Sequence, residues 1–243
     1  MTSVAVLGDI HGNARALRAA LDQARRGPMD HLVLLGDLLT YGHDVAETLA
    51  LVSDAQARHD AILLKGNHDQ LYLDLDRGDH AYVDKLPAWI RDSVDLTRAR
   101  LDVNELHGLD WREEHILDGV LFSHANPFGT GDWTYLNHPP ELEEARVALA
   151  QRGLRAGVFG HTHRPYWGGG APIVGNAGSV GQPRDSRAES VLLRLVLSPE
   201  AVTASFEPIA YDVQAHVATL EACGLGESTI ARLAGFFARR DPA

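Results

Sequence analysis

Five short segments of this 243-residue chain contain residue types that bind metals or transfer protons. The first is GDIHGN, in which Asp9 and His11 lie two positions apart, directly after the apolar run at residues 4–7. A carboxylate beside an imidazole fits three roles: a salt bridge, a metal-binding corner or a general acid–base pair. The local pattern leaves all three open, so the choice depends on what the other segments bring to the same place.

The other four segments repeat this design, because each places polar donors directly after a predicted strand. The candidate donors of all five segments are Asp9, His11, Asp37, Asn67, His124, His161 and His163, with His68 and Asp69 directly after Asn67. The carboxyl ends of parallel strands face a common crevice, so we expect these side chains to converge. Residues two apart in an extended segment share a face, which lets His161 and His163 point into one site.

The donor set favours two metal ions over one. Two aspartates, one asparagine and four histidines, with His68 left aside, are too many ligands for one tetrahedral zinc ion. They suit two ions if one carboxylate bridges them. Imidazole and carboxylate donors without thiolate favour manganese, iron, zinc, nickel or cobalt over calcium. Two such ions about 3.5–4 Å apart form an arrangement that hydrolyses phosphate esters.

The elements that must position these donors alternate along the first third of the chain. Apolar runs predict strands at residues 4–7, 32–35 and 61–64, with amphipathic helices at 13–26 and 44–58 between them. Asp44 is a plausible N-cap of the second helix. Short connections between these elements imply parallel pairing with right-handed crossovers.

The rest of the chain predicts a layered α/β protein with a mixed strand pattern. Helices are expected over most of residues 70–110 and over 141–151. A hairpin is expected to turn at Asp118-Gly119, followed by a strand at 156–159. A turn-rich stretch then leads to a final antiparallel pair of strands at 190–196 and 201–209. Two facing sheets with helices outside accommodate so many short strands. The tail from residue 212 to 240 has helical periodicity that is interrupted at Gly224-Leu225-Gly226.

Composition excludes several classes of function. A formal charge of −11 argues against binding to long nucleic acids, which rests on a basic surface. No stretch approaches the ~20 apolar residues that cross a bilayer, and the N-terminal segment lacks a signal-peptide pattern, so we expect no membrane partner. A single cysteine, Cys223, rules out an internal disulfide and suits the cytoplasm. The oligomeric state is not encoded in these features.

The five segments GDIHGN, GDLLTYG, GNHD, SHA and GHTHRP, in this order, resemble the signature blocks of the calcineurin-like metallophosphoesterase superfamily. The blocks span residues 8–164, and NAGSVGQPRD extends the likeness to residue 185, most similar to the small bacterial phosphodiesterase-type branch. The resemblance implies a four-layer α-β-β-α sandwich of two mixed sheets with helices outside. We expect residues 1–210 to form the metallophosphoesterase domain and residues 211–243 to be its C-terminal helical extension.

The resemblance also assigns roles to individual residues. It implies two divalent metal ions, with Mn²⁺ preferred, the first held by Asp9, His11, Asp37 and His163, and the second by Asn67, His124 and His161 with Asp37 bridging. The nucleophile of the family is a metal-bridging hydroxide. His68 is the expected partner of the substrate phosphate, protonating the leaving oxygen or stabilising charge. Asp69 is expected to orient the His68 imidazole.

Three further residues are candidates for contact with substrate. Asn13 is predicted to cap the first helix and to lie near the phosphate, because helix N-termini favour anions. Tyr41 can stack on a nucleobase or simply pack, and Arg184 can meet a phosphate or remain solvated. The eight histidines outside the five segments are expected on solvated faces, and among them only His43 lies close enough to a segment to be a rim residue.

These observations predict an enzyme that hydrolyses small phosphodiesters, cyclic nucleotides among them, with phosphomonoesters as further substrates. The alternative within enzymes is a nucleotide phosphatase or dinucleoside polyphosphate hydrolase. The alternative of another class is a non-catalytic scaffold with the same fold. The segment GDLLTYG lacks the arginine that protein serine/threonine phosphatases carry in their GDxVDRG block, which weakens a phosphoprotein substrate. Ala177 stands where proline is usual in the phosphodiesterase-type branch, and we expect this change to be tolerated.

Overall fold

A computed structural model describes residues 1–238 of the chain. The strands are β1 (Thr2–Leu7), β2 (His31–Leu34), β3 (Ile62–Leu64), β4 (Trp111–Arg112), β5 (Glu114–Leu117), β6 (Val120–Ser123), β7 (Ala156–Phe159), β8 (Tyr166–Trp167), β9 (Ile173–Asn176), β10 (Val191–Leu197) and β11 (Val202–Pro208). The helices are α1 (Ala14–Arg26), α2 (Val45–His59), α3 (Asn67–Asp76), α4 (Ala88–Arg98), α5 (Val103–His107), α6 (Pro139–Gln151), α7 (Val213–Glu221) and α8 (Glu227–Ala234), with short 3-10 turns at Val83–Lys85 and Gly235–Phe237.

The strands form two mixed sheets. The first has the order β11-β10-β1-β2-β3-β4, in which β1 to β4 run parallel and β10 and β11 are antiparallel additions. The second has the order β5-β6-β7-β9-β8, with β6, β7 and β9 parallel to one another. The parallel strands of each sheet end at the edge that carries the ligand-type segments.

Side chains along each strand alternate between the two faces of the sheet, and the packing of both faces gives four layers. In β1, Val4 and Val6 pack with Phe122 and Val158 of the second sheet, whereas Ala5 and Leu7 pack on the helix side. The outer face of the second sheet packs its own apolar side chains against α6. Successive strand residues point to opposite faces, so strands that are buried on both faces need the continuous apolar runs that the sequence shows. The predicted four-layer α-β-β-α sandwich is therefore confirmed.

Most of the predicted elements are present, with small shifts of their ends. The hairpin turns where Asp118-Gly119 predicts, and both residues have positive φ, 48° and 73°, as a type I′ turn requires. One helix begins earlier than predicted: α3 starts at Asn67 and not at residue 70, so a candidate metal ligand occupies its first turn. Pro87, expected in the first turn of α4, is its N-cap.

The C-terminal helices α7 and α8 pack beside the ligand-bearing edge. Leu220 and Leu233 form an apolar cluster with Tyr41, and Trp89 of α4 packs against it. The division of the chain at residue 210 stays a prediction, and residues 239–243 of the expected extension lie outside the described residues. Within residues 1–238, no helix is both long and apolar enough to cross a membrane.

Candidate metal centre

The seven predicted ligands converge at one end of the two sheets, on the loops that follow β1, β2, β3, β6 and β7. We refer to this set as the cage: Asp9, His11, Asp37, Asn67, His124, His161 and His163. Each cage residue is at most 4% exposed. The first sheet supplies four of them and the second sheet supplies three, so the site lies between the sheets.

One half of the cage is formed by Asp9, His11 and His163, whose donor atoms all lie within 4.8 Å of one another. His163 Nε2 lies 3.2 Å from Asp9 Oδ1 and 3.1 Å from His11 Nε2. These residues come from loops after β1 and β7, which belong to different sheets. The close approach of three potential ligands is the geometry that a divalent ion requires.

The other half is formed by Asp37, His124 and His161, again within 4.8 Å of one another. His124 Nε2 lies 3.4 Å from Asp37 Oδ2 and 3.1 Å from Asn67 Oδ1. Asp37 Oδ2 also lies 3.7 Å from His11 Nε2, so this carboxylate faces both halves. Asp37 is therefore in position to bridge two ions.

Backbone carbonyls fix the tautomers of three cage imidazoles. The Nδ1 atoms of His11, His124 and His163 lie 2.9, 2.8 and 2.6 Å from the carbonyl oxygens of residues 39, 35 and 182. A carbonyl only accepts, so each Nδ1 carries a proton. The Nε2 atoms of His11 and His163, whose pKa values are lowered, present lone pairs to the cage, whereas His124 Nε2 also keeps a proton in the metal-free protein. His11 and His163 thus face each other lone pair to lone pair at 3.1 Å, an arrangement that a cation between them stabilises. The residues present fit divalent metal ions.

The two remaining donors are held differently. The Asn67 amide nitrogen donates to the Tyr82 hydroxyl at 3.0 Å, which turns Asn67 Oδ1 toward His124. His161 Nε2 lies 3.1 Å from the Trp133 carbonyl oxygen, and the Tyr135 ring stacks on the His161 imidazole at 3.9 Å. The loop between β6 and α6 therefore covers the His161 side of the cage.

Burial and neighbouring charges shift the pKa values of the cage residues. Burial raises the pKa of Asp9 to about 7. The negative charge of Asp37 adds to this increase, and the positive charge of His124 opposes it. Burial alone would lower the pKa of His124, but the nearby Asp37 carboxylate outweighs burial and raises this pKa to about 9. Burial lowers the pKa of His161 to about 3 and holds those of His11 and His163 well below the usual value. Neutral imidazoles beside carboxylates are the protonation states that bind metals, and divalent cations would replace the protons that Asp9 and His124 retain.

Asp69 contacts the backbone of the loop that carries Asp37. Its carboxylate accepts backbone N–H bonds from Asp37 (2.7 Å), Leu38 (2.9 Å) and Gly66 (2.9 Å) and is fully buried. These three donors occupy the carboxylate, and His68 Nδ1 has no hydrogen-bond partner among the described residues. Asp69 makes no hydrogen bond to His68 among the described residues, and its expected role in orienting the imidazole stays a prediction. Asp69 fixes the loop that carries Asp37.

Tyr41 is the residue that contacts the His68 ring. Its hydroxyl lies 3.2 Å from His68 Nε2, and its ring packs on the His11 imidazole with centroids 4.6 Å apart. Burial lowers the pKa of His68 to about 4, so the imidazole is neutral at pH 7. The backbone N–H of His68 donates to Asp37 Oδ1 at 2.8 Å, which places the imidazole beside the Asp37 carboxylate.

Of the other two substrate-binding candidates, only Arg184 faces the cage. Its guanidinium lies over the Tyr41 ring, 5.6 Å from the centroid, and donates to Gln182 Oε1, and its charge opposes the increase in the pKa of Asp9. Asn13 caps α1 by accepting from Ala16 N at 3.0 Å, as predicted. Its amide nitrogen donates to Gly181 O and to the Tyr211 hydroxyl, so the fully buried side chain is engaged by protein partners. The expected contact between Asn13 and a phosphate stays a prediction.

Several residues at the site carry no signal in the sequence. Tyr82 orients Asn67, and the carbonyl oxygens of Trp133 and Gln182 meet His161 and His163. Backbone carbonyls are present at every position, so their use cannot be seen in residue types. Tyr82 lies between predicted helices, where a tyrosine without a motif predicts only packing.

The fold and this cage together define a class of protein: a four-layer α/β metallophosphoesterase with a buried aspartate–histidine centre. The chain belongs to the calcineurin-like phosphoesterase superfamily, whose domain it matches over residues 2–197. It is 29% identical over 204 residues to an uncharacterized protein of Methanocaldococcus jannaschii, covering 75% of this chain and 77% of that one.

Two solved structures share the fold over almost the whole chain. A metallophosphoesterase from Sphaerobacter thermophilus has a TM-score of 0.74 and 23% identity, with 97% of this chain and 99% of the other covered. A hypothetical protein from Pyrococcus horikoshii has a TM-score of 0.81 and 20% identity, with 96% and 98% covered. The full-length match means that the C-terminal part of the chain also has a counterpart in these folds.

Proposed function

We propose that the protein is a dinuclear metal-dependent phosphoesterase that hydrolyses small phosphodiesters. The observation that carries the proposal is the opposition of lone pairs inside the cage, with His11 Nε2 and His163 Nε2 3.1 Å apart and both Nδ1 atoms committed to carbonyls. Asp9, His11, Asp37 and His163 would hold one ion, and Asn67, His124 and His161 would hold the other with Asp37 shared. Two divalent ions bound there would supply Lewis acidity to the phosphoryl oxygens and to the attacking water.

The proposed metal is manganese first, with iron, zinc, nickel or cobalt as the other ions that the donor set accepts. Imidazole and carboxylate ligands without thiolate support this range. Cys223, the single cysteine, lies outside the cage and is free and buried. A chain without disulfides suits a reducing compartment, and we place the reaction in the cytoplasm.

His68 is the proposed proton donor to the leaving oxygen. It lies beside Asp37 and its Nε2 contacts the Tyr41 hydroxyl at 3.2 Å. The imidazole is neutral at pH 7, so one ring nitrogen carries a proton; donating it to a departing alkoxide would leave an imidazolate, which takes a proton back from water. Tyr41 holds the ring in place through this contact.

The charge and access of the site support a small, singly charged phosphodiester. Arg184 is a cation beside the cage and can pair with one phosphate charge. The cage ligands are at most 4% exposed and His68 is 5% exposed, so a bulky substrate cannot approach them without movement of covering residues. Tyr135, which is 45% exposed and stacked on His161, offers an aromatic surface at the entrance for a leaving group or a nucleobase.

A substrate panel tests this proposal. Metal-stripped protein is reloaded with Mn²⁺, Fe²⁺, Zn²⁺, Ni²⁺ or Co²⁺ and assayed on bis-p-nitrophenyl phosphate, p-nitrophenyl phosphate, cyclic nucleotides and dinucleoside polyphosphates. We expect the highest kcat/KM on a diester with Mn²⁺. Faster turnover of monoesters or of dinucleoside polyphosphates would contradict the substrate class, and no turnover with any of the metals would overturn the enzymatic function in favour of a scaffold.

A further inference from the structure

A second group of metal-binding residue types lies outside the cage, where α7 meets the loop before α2. His43, Asp44 and His216 each offer a donor atom, and these atoms lie within 4.8 Å of one another. His43 and Asp44 directly precede α2, and His216 lies in the first half of α7. The fold therefore brings together potential ligands from two segments that are far apart in the sequence. We call this group the histidine clasp.

The two imidazoles of the histidine clasp contain buried nitrogen atoms without partners. His216 is 1% exposed, contrary to the expectation that it lies on a solvated face. Neither His216 Nδ1 nor His43 Nδ1 has a hydrogen-bond partner among the described residues. The rings stack with centroids 5.5 Å apart and an interplanar angle of 25°. A buried polar atom without a partner is destabilising, so each of these nitrogen atoms has the capacity to bind a ligand.

Asp44 adds an independent observation. It occupies the N-cap position of α2, where aspartate normally accepts a hydrogen bond from the first turn of the helix. Its side chain makes no such capping bond, and its Oδ1 lies instead 3.2 Å from His43 Nε2. A capping bond stabilises a helix, so the carboxylate has turned away from a favourable local partner toward the imidazole.

Arg100 connects the two segments that carry the histidine clasp. Arg100 donates to the carbonyl oxygens of His43 and Cys223, which ties the loop before α2 to the end of α7.

We propose that His43, Asp44 and His216 form a third metal site, separate from the cage, that takes a divalent first-row transition ion. Two imidazoles and one carboxylate, without thiolate, select zinc most readily, with a water molecule as fourth ligand. Such a site goes beyond the hydrolysis proposed above, because none of its ligands is a cage residue. It would fasten α7 to the chain that carries Tyr41.

This fastening matters for the cage because the connecting loop is tightly packed. Gly42 N donates to the His11 carbonyl oxygen at 3.0 Å, and a Cβ at Gly42 would overlap that oxygen. The loop between the histidine clasp and Tyr41 therefore has little room to move independently. An ion at the clasp would stabilise the position of Tyr41, which contacts both His11 and His68.

Zinc binding in a cage-disabled protein tests the proposal. With Asp9→Asn and Asp37→Asn in the background, calorimetric titration with zinc chloride is expected to show one tight site per chain. His216→Gln and His43→Gln in that background should each weaken this site at least tenfold. His80→Gln, which replaces an exposed histidine away from both sites, is the matched control and should bind as the background does.

A second measurement keeps the test independent of the cage-disabled background. After equilibration with excess zinc and removal of free ions, the otherwise unchanged protein should retain one zinc ion per chain more than its folded His43→Gln variant. Far-UV circular dichroism establishes that each variant is folded. Equal zinc contents, or zinc binding in the cage-disabled background that survives both His43→Gln and His216→Gln, would overturn the proposal.

Discussion

Five of the seven cage ligands hold a left-handed backbone conformation that most side chains avoid. Asp9, His11, Asp37, His161 and His163 have φ values between 47° and 67°. Such conformations cost of order 1–3 kcal/mol each and cluster at functional sites, and aspartate and histidine tolerate them better than branched residues. The backbone of these loops therefore adopts an unfavourable conformation that places the side chains in the site, and neighbouring groups must stabilise that backbone.

Asp69 is one of those neighbouring groups, and its replacement should destabilise the Asp37 loop. In Asp69→Asn, the amide nitrogen cannot accept a hydrogen bond, so at least one of the three buried N–H donors loses its partner. We expect a loss of about 2–4 kcal/mol in the free energy of unfolding, measured by urea denaturation. Asp74→Asn, on the same helix but part-exposed, is the control. Equal stability of the two variants would show that Asp69 is not a structural clamp.

His68 should affect the chemical step according to the leaving group. His68→Asn removes the proposed proton donor, and we expect kcat to fall about 10²–10⁴-fold on a diester with a poor alkoxide leaving group. The fall should be much smaller on bis-p-nitrophenyl phosphate, because p-nitrophenolate departs without protonation. Steady-state kinetics on both esters measures the difference. An equal fall on both, with unchanged metal content, would contradict the role as proton donor.

Residue types predicted which side chains form the site but not all of their partners. The ligand segments were visible because aspartate, asparagine and histidine after buried strands are unusual and chemically specific. The role of Asp69 was missed because its three donors are backbone groups of Asp37, Leu38 and Gly66, which no sequence pattern marks. The burial of His216 was missed because the helix that carries it is short and shows no distinctive apolar stripe.

At the scale of elements, the first sheet consists of the parallel strands β1 to β4, extended beyond β1 by β10 and β11, which pair antiparallel. Strand β10 pairs with β11 along its whole length and with β1 over five residue pairs. These elements were predictable because β1 and β10 contain strong apolar runs and β11 alternates apolar with polar residues. The order of the strands was not, because β10 pairs with β1 across most of the chain, and such long-range pairing leaves no local signal. The two-residue strands β4 and β8 were equally invisible.

An ion pair across β10 and β11 gives a pH-dependent test of this edge. Arg194 makes two contacts with the Glu207 carboxylate, at 2.6 and 3.1 Å, and donates to the Pro28 carbonyl oxygen. The hydrogen bonds from Arg194 lower the pKa of Glu207 below its usual 4.5. A carboxyl with a lowered folded-state pKa stabilises the protein above its unfolded pKa and loses that stabilisation as pH falls through the folded value.

Glu207→Gln should therefore cost stability at neutral pH and little in acid. We expect a loss of about 1 kcal/mol at pH 7, kept small because the carboxylate is partly solvated, and a loss near zero at about pH 3. Urea denaturation at both pH values measures it, with Glu200→Gln in the β10–β11 turn as the control. A loss that is the same at both pH values would mean that the ion pair does not contribute.

At the scale of the whole molecule, the cage joins the two sheets. The first sheet and its loops carry Asp9, His11, Asp37 and Asn67, whereas the second carries His124, His161 and His163. The packing of the two sheets was predictable in outline from the number of short strands and from the resemblance of the five segments. The contacts of the C-terminal helices were not predictable, because their periodicity says which face is apolar but not what that face covers.

Metal removal should consequently lower the stability of the whole molecule. A ligand at a hundredfold excess over its Kd stabilises the folded state by about 2.7 kcal/mol, which is about 5–10 °C in Tm for a chain of this size. We expect Mn²⁺ to raise the Tm of metal-stripped protein by that amount and a chelator to reverse it. A Tm that is unaffected by Mn²⁺ in wild type would contradict a metal site that joins the sheets.

The most direct test of the central claim is the effect of Asp37→Asn on Mn²⁺-dependent turnover of bis-p-nitrophenyl phosphate. Asp118→Asn is the matched control, because Asp118 has a similar left-handed φ, 48° against 52°, far from the cage. We predict that the control keeps wild-type kcat/KM and that Asp37→Asn loses at least about 10³-fold, since the shared carboxylate positions both ions. Mn²⁺-dependent turnover that survives Asp37→Asn would contradict a two-metal cage bridged by this residue.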